Sequence, residues 1–244
     1  MKNLYLASLL LLLQGCTQTP ISDTRPTWEG KPRVIVMSDG EIDDRCSMVH
    51  FLLYTNDMQV DAIIQSNSGF QRHGWSSEPW IEEQIAAYEA VLQNLRVHDA
   101  DYPSADELRA AVYVGDEDPN HVPQEVSFKT LLPGAEVLID PTDWPDTPGS
   151  DRIVEVLLEE DPRPVFIQCW GGGNTAARAF DKLKKDHPTE YDRAMEKVVM
   201  YCIWYQDGAG NYIERNHPKA TLLLSHHFSG SWDYGTMTNS DNFI

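Results

Sequence analysis

Arg33-Val-Ile-Val-Met37, followed at once by Ser38-Asp-Gly-Glu-Ile-Asp-Asp44, joins an apolar run to a turn that carries four carboxylates. The run is apolar on both faces and rich in β-branched residues, which predicts a strand buried in a parallel sheet. Residues 44–54 then place apolar side chains at helical spacing. The acidic turn is therefore predicted to connect the first strand to the first helix.

The alternation of strand and helix continues along the chain. Gln59–Gln65 predicts a second strand, and five apolar residues between Ile81 and Leu95 recur at the spacing of one helix face. The other predicted elements are a short helix at 106–112, a strand at 136–139 with a helix at 151–158, a strand at 165–170 with a helix at 174–185, and a strand at 197–205 with a helix at 219–226. This order predicts an α/β fold, a Rossmann-like, mainly parallel sheet with helices on both faces.

Composition limits the classes of partner. The 244 residues are 41% hydrophobic, enough for one domain with a sizeable core. The formal net charge is −19, from 38 acidic and 19 basic residues, so the long-range field would repel a nucleic-acid polymer. A nucleic-acid polymer is therefore not an expected partner, and charge alone names no substrate.

The N-terminal segment has the pattern of an export signal. Lys2 precedes the apolar run Leu4–Leu13, which is too short to span a bilayer and ends near Cys16. We expect residues 1–16 to be a lipoprotein signal with an acylated Cys16, residues 17–31 a tether, and residues 32–244 the domain. The expected location is the cell envelope, on the periplasmic face or the cell surface; an ordinary secretory signal is the alternative.

The remaining cysteines do not form a disulfide framework, because Cys46, Cys169 and Cys202 are an odd set. Cys169 and Cys202 lie in strand-like runs. They are expected to be buried thiols or, alternatively, to pair with each other.

The acidic turn suggests a cation. Four carboxylates within six residues repel one another, and a helix dipole offers only about half a unit charge. A hard cation such as calcium is the natural complement, while helix capping by Asp43 or Asp44 is the alternative. Ligands of such sheets bind where strands end, so residues 38–44, 66–75, 170–174 and 204–207 are candidates, among them Trp170 and Asp207 for substrate contact. Five tryptophans are further candidates for a sugar platform or for core packing: Trp75, Trp80, Trp170, Trp204 and Trp232.

Several ordered motifs carry a family resemblance. The stretch 33–44, Ile85–Leu95, Tyr102-Pro-Ser and Cys169-Trp-Gly-Gly-Gly-Asn-Thr-Ala-Ala177 resemble the nucleoside hydrolases. They resemble still more a bacterial family of nucleoside-hydrolase-like proteins that includes one described as cellulose-binding. The resemblance extends from Pro32 to about Asp233.

The resemblance implies site roles. Asp39 would contact calcium and take a proton from the attacking water, and Asp44 and the Gly173 carbonyl would also bind calcium. The residues implied to hold the substrate are Asp43, Asn67 and Asn174, the last also starting a helix.

The implied activity is calcium-dependent hydrolysis of N-glycosidic or related glycosidic bonds. The expected partner is therefore a small-molecule glycoside or carbohydrate, with membrane contact through a lipid anchor only. Met37 departs from the family pattern, which usually has aspartate there. A late aspartate and histidine segment is not found, and the C-terminus looks truncated. The alternative is a non-catalytic, surface carbohydrate-binding lipoprotein that keeps the fold.

Overall fold

The computed structural model describes residues 28–124 and 132–225. Several predictions lie outside these residues: the signal segment with Cys16, most of the tether, Trp232 and the C-terminal end of the domain. Within the described part of the chain, no helix is both long enough and apolar enough to cross a membrane.

A six-stranded parallel sheet forms the centre of the fold, in the order β3-β2-β1-β4-β5-β6. Its strands are β1 Arg33–Ser38, β2 Gln59–Gln65, β3 Val112–Val114, β4 Val165–Cys169, β5 Val198–Cys202 and β6 Thr221–Leu224. The order reverses at β1, which has β2 on one side and β4 on the other. The predicted Rossmann-like α/β class is confirmed.

Seven α-helices cover the sheet in the described residues. They are α1 Ile42–Leu53, α2 Trp80–His98, α3 Ala105–Ala110, α4 Pro148–Leu158, α5 Asn174–Asp186, α6 Tyr191–Glu196 and α7 Ala209–Asn216. Alternate residues of β1 enter two separate cores. Val34 and Val36 pack with α1, α2 and α3, whereas Ile35 and Met37 pack with α4, α5, α6 and α7. The helices therefore lie on both faces, as the alternation predicts.

Near the third strand, one predicted element is wrong and another ends earlier than predicted. The segment 136–139 is not a strand; it is an irregular stretch, bounded by Gly134 and Pro141, that buries Ile139 in the core. The short helix predicted at 106–112 is present as α3, but Val112, the last residue of that prediction, belongs to the third strand, Val112–Val114. Helix α3 ends at Ala110 because its C-cap, Ala111, passes directly into this β-branched edge strand.

The helix predicted at 219–226 is also wrong. Residues Thr221–Leu224 form β6, which pairs with β5 at the other edge of the sheet. The helix of this unit is α7, and it begins after Gly208, whose φ of 81° is the left-handed conformation that glycine adopts without strain. Two glycines and an asparagine near its start weaken the helical pattern in the sequence.

Cys169 and Cys202 face each other on neighbouring strands, and both are buried free thiols. The hydrogen bond with the adjacent Cys202 thiol, and then burial, raise the pKa of Cys169 well above its usual value, which keeps it protonated. The first of the two alternatives, buried thiols, therefore describes the structure.

Candidate functional site

The carboxyl ends of β1, β2, β4 and β5 meet at one edge of the sheet, called here the carboxyl edge. Backbone hydrogen bonds continue past the strand ends: the Trp170 N–H donates to the Met37 carbonyl at 2.9 Å, and the Ser66 N–H donates to the Ser38 carbonyl at 2.8 Å. The loops after these strands are thereby held side by side. Parallel sheets bind ligands at this edge, where the strand order reverses.

Asp39 and Asp44 lie together under the acidic turn, only 2% and 3% exposed. One Asp44 oxygen, Oδ2, accepts the Ser38 hydroxyl at 2.6 Å and the Asp39 N–H at 3.0 Å. Asp39 Oδ1 accepts the Glu41 N–H at 3.3 Å. The turn therefore folds around its own carboxylates, and helix α1 starts directly from it.

Little positive charge from the protein compensates the four carboxylates of the acidic turn, Asp39, Glu41, Asp43 and Asp44. Burial raises the pKa of Asp39, and hydrogen bonds from Ser68 and Glu41 oppose that rise. Burial and the neighbouring Asp39 charge raise the pKa of Asp44 well above its usual value. Burial, with the charges of Asp39 and Asp43, raises the pKa of Glu41 to about 7. Across the described ranges, no Lys, Arg or His forms an ion pair with any of the four.

A glycine loop after β4 packs closely against this turn. A Cβ on Gly171 would lie 2.8 Å from Asp39 Cβ, and a Cβ on Gly172 would lie 2.4 Å from the Asn67 carbonyl oxygen and 2.5 Å from Asp207 Oδ2. No side chain fits at either position. The two glycines let the loops after β1, β2 and β5 approach the same backbone segment.

Three predicted site residues form one buried network. The Asn174 side-chain amide donates to Asn67 Oδ1 at 2.6 Å, and the Asn174 N–H donates to Asp207 Oδ2 at 2.7 Å. Asp207 Oδ1 accepts the Ala209 N–H at 3.0 Å. Burial raises the pKa of Asp207 to about 6, although these backbone donors favour its charged form. The structure thus brings Asn67, Asn174 and Asp207 together, with both Asp207 oxygens occupied by helix N-termini.

Gly173 and Trp170 also have internal partners. The Gly173 carbonyl accepts the Ala177 N–H at 3.0 Å in the first turn of α5. The Trp170 ring is half-buried and meets Phe51 edge-on, with ring centroids 5.9 Å apart. Both residues lie at the carboxyl edge, as predicted, but their contacts there are with the protein itself.

An open cleft of about 440 Å³ lies beside the acidic turn. Its lining residues define the acidic cleft: Gly40, Glu41, Ile42, Asp43, Arg45, Gln71 and Trp75. The buried oxygen Asp43 Oδ1 accepts no hydrogen bond from the described residues. The cleft combines carboxylates, an amide and an indole, the groups that bind hydroxyls and the faces of sugar rings.

Two residues that the sequence prediction missed position Trp75. The Arg45 guanidinium lies 5.2 Å from the Trp75 ring centroid and donates from Nε to the Gly40 carbonyl at 2.9 Å. Glu117 Oε1 accepts the N–H groups of Trp75 and Ser76 at 3.0 and 2.9 Å. Glu117 follows β3, which was not predicted, so no local pattern indicated this role.

The acidic turn has the negative charge that a cation site needs, but not a complete set of side-chain ligands. No three His, Cys, Asp or Glu side chains in the described residues converge as metal ligands. Yet Asp39 and Asp44 are buried without a cationic partner, and the neighbouring Asp43 has a buried oxygen that lacks a donor. This donor set of hard oxygens suits calcium.

The chain is a Rossmann-like α/β protein with a buried aspartate pair after β1, which is the arrangement that the resemblance to nucleoside-hydrolase-like proteins implies. The family described as "Cellulose-binding Sde182, nucleoside hydrolase-like domain" matches residues 33–242, and the chain belongs to it. The predicted family is confirmed.

A solved structure is also similar, that of a nucleoside hydrolase-related hypothetical protein from Saccharophagus degradans that is associated with carbohydrate metabolism. It is 26% identical, with a TM-score of 0.63. The match covers 78% of this chain and 42% of that protein, so this chain spans less than half of its length. No curated protein matches the chain.

Proposed function

We propose that the chain binds a carbohydrate in the acidic cleft. The observation that carries this proposal is the cleft itself, about 440 Å³ with Trp75 beside Glu41, Asp43 and Gln71. An indole face and several hydrogen-bonding groups match a sugar ring, which is apolar on its faces and polar at its edges. The description of the family as cellulose-binding agrees with this ligand class.

Titration calorimetry with cellotetraose tests the proposal. We expect Trp75→Ala to weaken binding by about tenfold or more, because a buried aromatic contact dominates such sites. Trp28→Ala is the matched control, since Trp28 is 38% exposed and lies outside the cleft. Absence of binding by the wild type, or equal affinity in the Trp75 and Trp28 variants, would contradict carbohydrate binding here.

Hydrolysis of a glycosidic bond, including the N-glycosidic bond of a nucleoside, is a second candidate function. The observation that favours it is the buried, uncompensated pair Asp39 and Asp44 next to the cleft. Asp39 would take the proton of the attacking water, and Asp43 would hold sugar hydroxyls. Asp39, Asp44 and the Gly173 carbonyl would hold calcium, which would supply positive charge that stabilises a deprotonated nucleophile.

We rank carbohydrate binding above hydrolysis. The Gly173 carbonyl, Asn174 and Asp207, which hydrolysis would use, already have hydrogen-bond partners within the protein, and this supports the order. Sugar release from p-nitrophenyl riboside with calcium present distinguishes the two functions. If the chain is an enzyme, Asp39→Asn should lower turnover by about 100-fold or more while the protein stays folded. Equal sugar release by the wild type and Asp39→Asn would contradict hydrolysis and leave carbohydrate binding as the remaining proposal.

A further inference from the structure

Phe70 and Trp204 are two aromatic residues at the carboxyl edge that the proposed function does not use. Phe70 follows β2 and Trp204 follows β5, and their ring centroids lie 6.3 Å apart with the planes tilted by 35°. Trp204 is partly buried, whereas Phe70 is 49% exposed. The two residues are called here the aromatic pair. A single exposed apolar side chain is ordinary on a protein surface, so what distinguishes Phe70 is the turn that holds it.

A closed turn fixes the backbone that carries Phe70. The Ser68 hydroxyl accepts the N–H groups of Phe70 and Gln71, both at 3.0 Å, and the Ser68 N–H donates to the Gln71 carbonyl at 2.9 Å. Ser68 is itself fully buried. The Phe70 ring is therefore presented by a preorganised turn, and a ligand that contacts it does not have to order the backbone.

The loops that carry the aromatic pair meet at the glycine loop after β4. The Gly172 N–H donates to the Asn67 carbonyl at 3.2 Å, and the Gly69 N–H donates to the Gln206 carbonyl at 3.0 Å. The Gln206 side chain donates to the Trp170 carbonyl at 2.7 Å. The aromatic pair therefore lies near the reversal of strand order at β1, which is where parallel sheets bind their ligands.

The turn that carries Phe70 also borders the acidic cleft. Gln71, the next residue, lines that cleft together with Trp75. The Ser68 hydroxyl also forms a hydrogen bond with Asp39 of the acidic turn. Because the cleft is open, a sugar chain that is bound in it is not confined to one ring. Phe70 lies where a neighbouring ring would leave the cleft past Gln71.

We propose that the aromatic pair is a second sugar subsite, which binds a neighbouring ring of the same oligosaccharide that occupies the acidic cleft. The faces of a sugar ring are apolar and pack against aromatic rings, and the exposed surface of Phe70 supplies such a contact. The ligand class rests on the proposed function, whereas Phe70 and Trp204 have no part in it. The ligand of the whole site is then an oligosaccharide rather than a monosaccharide or a nucleoside.

Nuclear magnetic resonance of the full chain follows the two subsites separately. Cellotetraose is titrated while the indole N–H signals of Trp75 and Trp204 are recorded, assigned with Trp75→Phe and Trp204→Phe. We expect both signals to shift with the same dissociation constant, because one oligosaccharide spans the two subsites. Methyl β-glucoside, which has a single ring, should bind about tenfold or more weakly than cellotetraose.

Phe70→Ala removes the second subsite and leaves its turn in place, since the ring is exposed and the backbone is held by Ser68. Its affinity for cellotetraose should fall by about three- to tenfold, the usual range for one aromatic contact, while its affinity for methyl β-glucoside stays unchanged. Tyr54→Ala is the matched control, because Tyr54 is 62% exposed at the end of α1 and lies outside the cleft. That variant should bind both sugars as the wild type does.

The outcomes separate the second subsite from the proposed function. A shift at Trp75 without one at Trp204, or equal cellotetraose affinities in Phe70→Ala and the wild type, would overturn the second subsite and leave carbohydrate binding in the cleft intact. A shift at Trp204 alone would contradict binding in the cleft and, with it, a ligand that spans two subsites. No shift at either indole would contradict both proposals. The amide spectrum of each variant shows whether it is folded.

Discussion

Gly172 is a residue at which the loops after β2, β4 and β5 approach one another closely. The atoms that a Cβ would meet are the Asn67 carbonyl oxygen and Asp207 Oδ2, at 2.4 and 2.5 Å. The first is backbone and the second is fixed by two backbone N–H donors. Neither can move without breaking the buried network of Asn67, Asn174 and Asp207.

Gly172→Ala should therefore destabilise the protein by about 1–3 kcal/mol, the usual cost of overpacking a rigid interior. Urea denaturation measures the free energy of unfolding. Gly134→Ala is the control, because Gly134 has a φ of 75° but nothing within 4 Å of an added Cβ. In the Gly134 variant only the strain of a left-handed backbone should lower the free energy of unfolding, by about 1–2 kcal/mol. A native-like stability for Gly172→Ala would contradict the close approach of the loops.

Ligands of parallel sheets bind at the carboxyl ends of the strands. This rule predicted the positions of four residues that each follow a recognisable strand: Asp39, Asn67, Asn174 and Asp207. It did not predict what they contact. The Asn67–Asn174 bond joins residues 107 positions apart, and Asp207 caps two helices that start in different loops. Such contacts depend on loop conformations that no local pattern specifies.

At the scale of elements, the amino ends of the strands are joined by an ion cluster around Arg33. Arg33 is fully buried in β1; it donates to Asp61 of β2 at 2.8 Å and to Glu159 beyond α4 at 2.7 Å. Asp161, just before β4, lies 3.8 Å from Arg33 and 2.6 Å from Arg163. The cluster ties the starts of three central strands together.

The Asp161 carboxyl should make stability depend on acid pH. Hydrogen bonds from Arg163, aided by the Arg33 charge, lower its pKa from 3.8 to about 2. A lowered folded-state pKa stabilises the protein above the unfolded value, and this contribution is lost as the pH falls from about 4 to about 2. Asp161→Asn should therefore melt below the wild type at pH 6, and the two should converge near pH 2.

The control for this variant is Glu160→Gln, whose side chain is 92% exposed. Its melting curve should follow the wild type at every pH, because exposed ion pairs contribute little. A wild-type advantage over Asp161→Asn that persists undiminished at pH 2 would show that packing, rather than charge, explains the effect.

The central elements were predictable from periodicity, and the edges were not. Strands β1, β2, β4 and β5 and helices α2 and α5 have long, apolar or amphipathic patterns. The edge strands β3 and β6 have only three and four residues, and several of their side chains are exposed. A short strand with one neighbour has little hydrophobic signal of its own, and pairing with β2 or β5 decides its conformation.

At the scale of the whole molecule, the net charge is −19. Cations affect this overall charge and the buried carboxylates of the acidic turn in different ways. Self-repulsion of surface charge is relieved by any salt, since the screening length falls from about 30 Å at 0.01 M to about 8 Å at 0.15 M. Buried Asp39 and Asp44 are hardly screened by diffuse ions. A cation that binds between them would offset their charge directly.

Sodium chloride and calcium should therefore stabilise the protein by separable mechanisms. Sodium chloride should raise the melting temperature of the wild type and of Asp44→Asn alike. Calcium at about 100 times its dissociation constant should add about 2.7 kcal/mol to the free energy of unfolding of the wild type, by linkage. Asp44→Asn should lose that increment, yet its amide oxygen can still accept the Ser38 hydroxyl and the Asp39 N–H. Equal calcium increments in both proteins would assign the effect to surface charge and contradict a calcium site in the acidic turn.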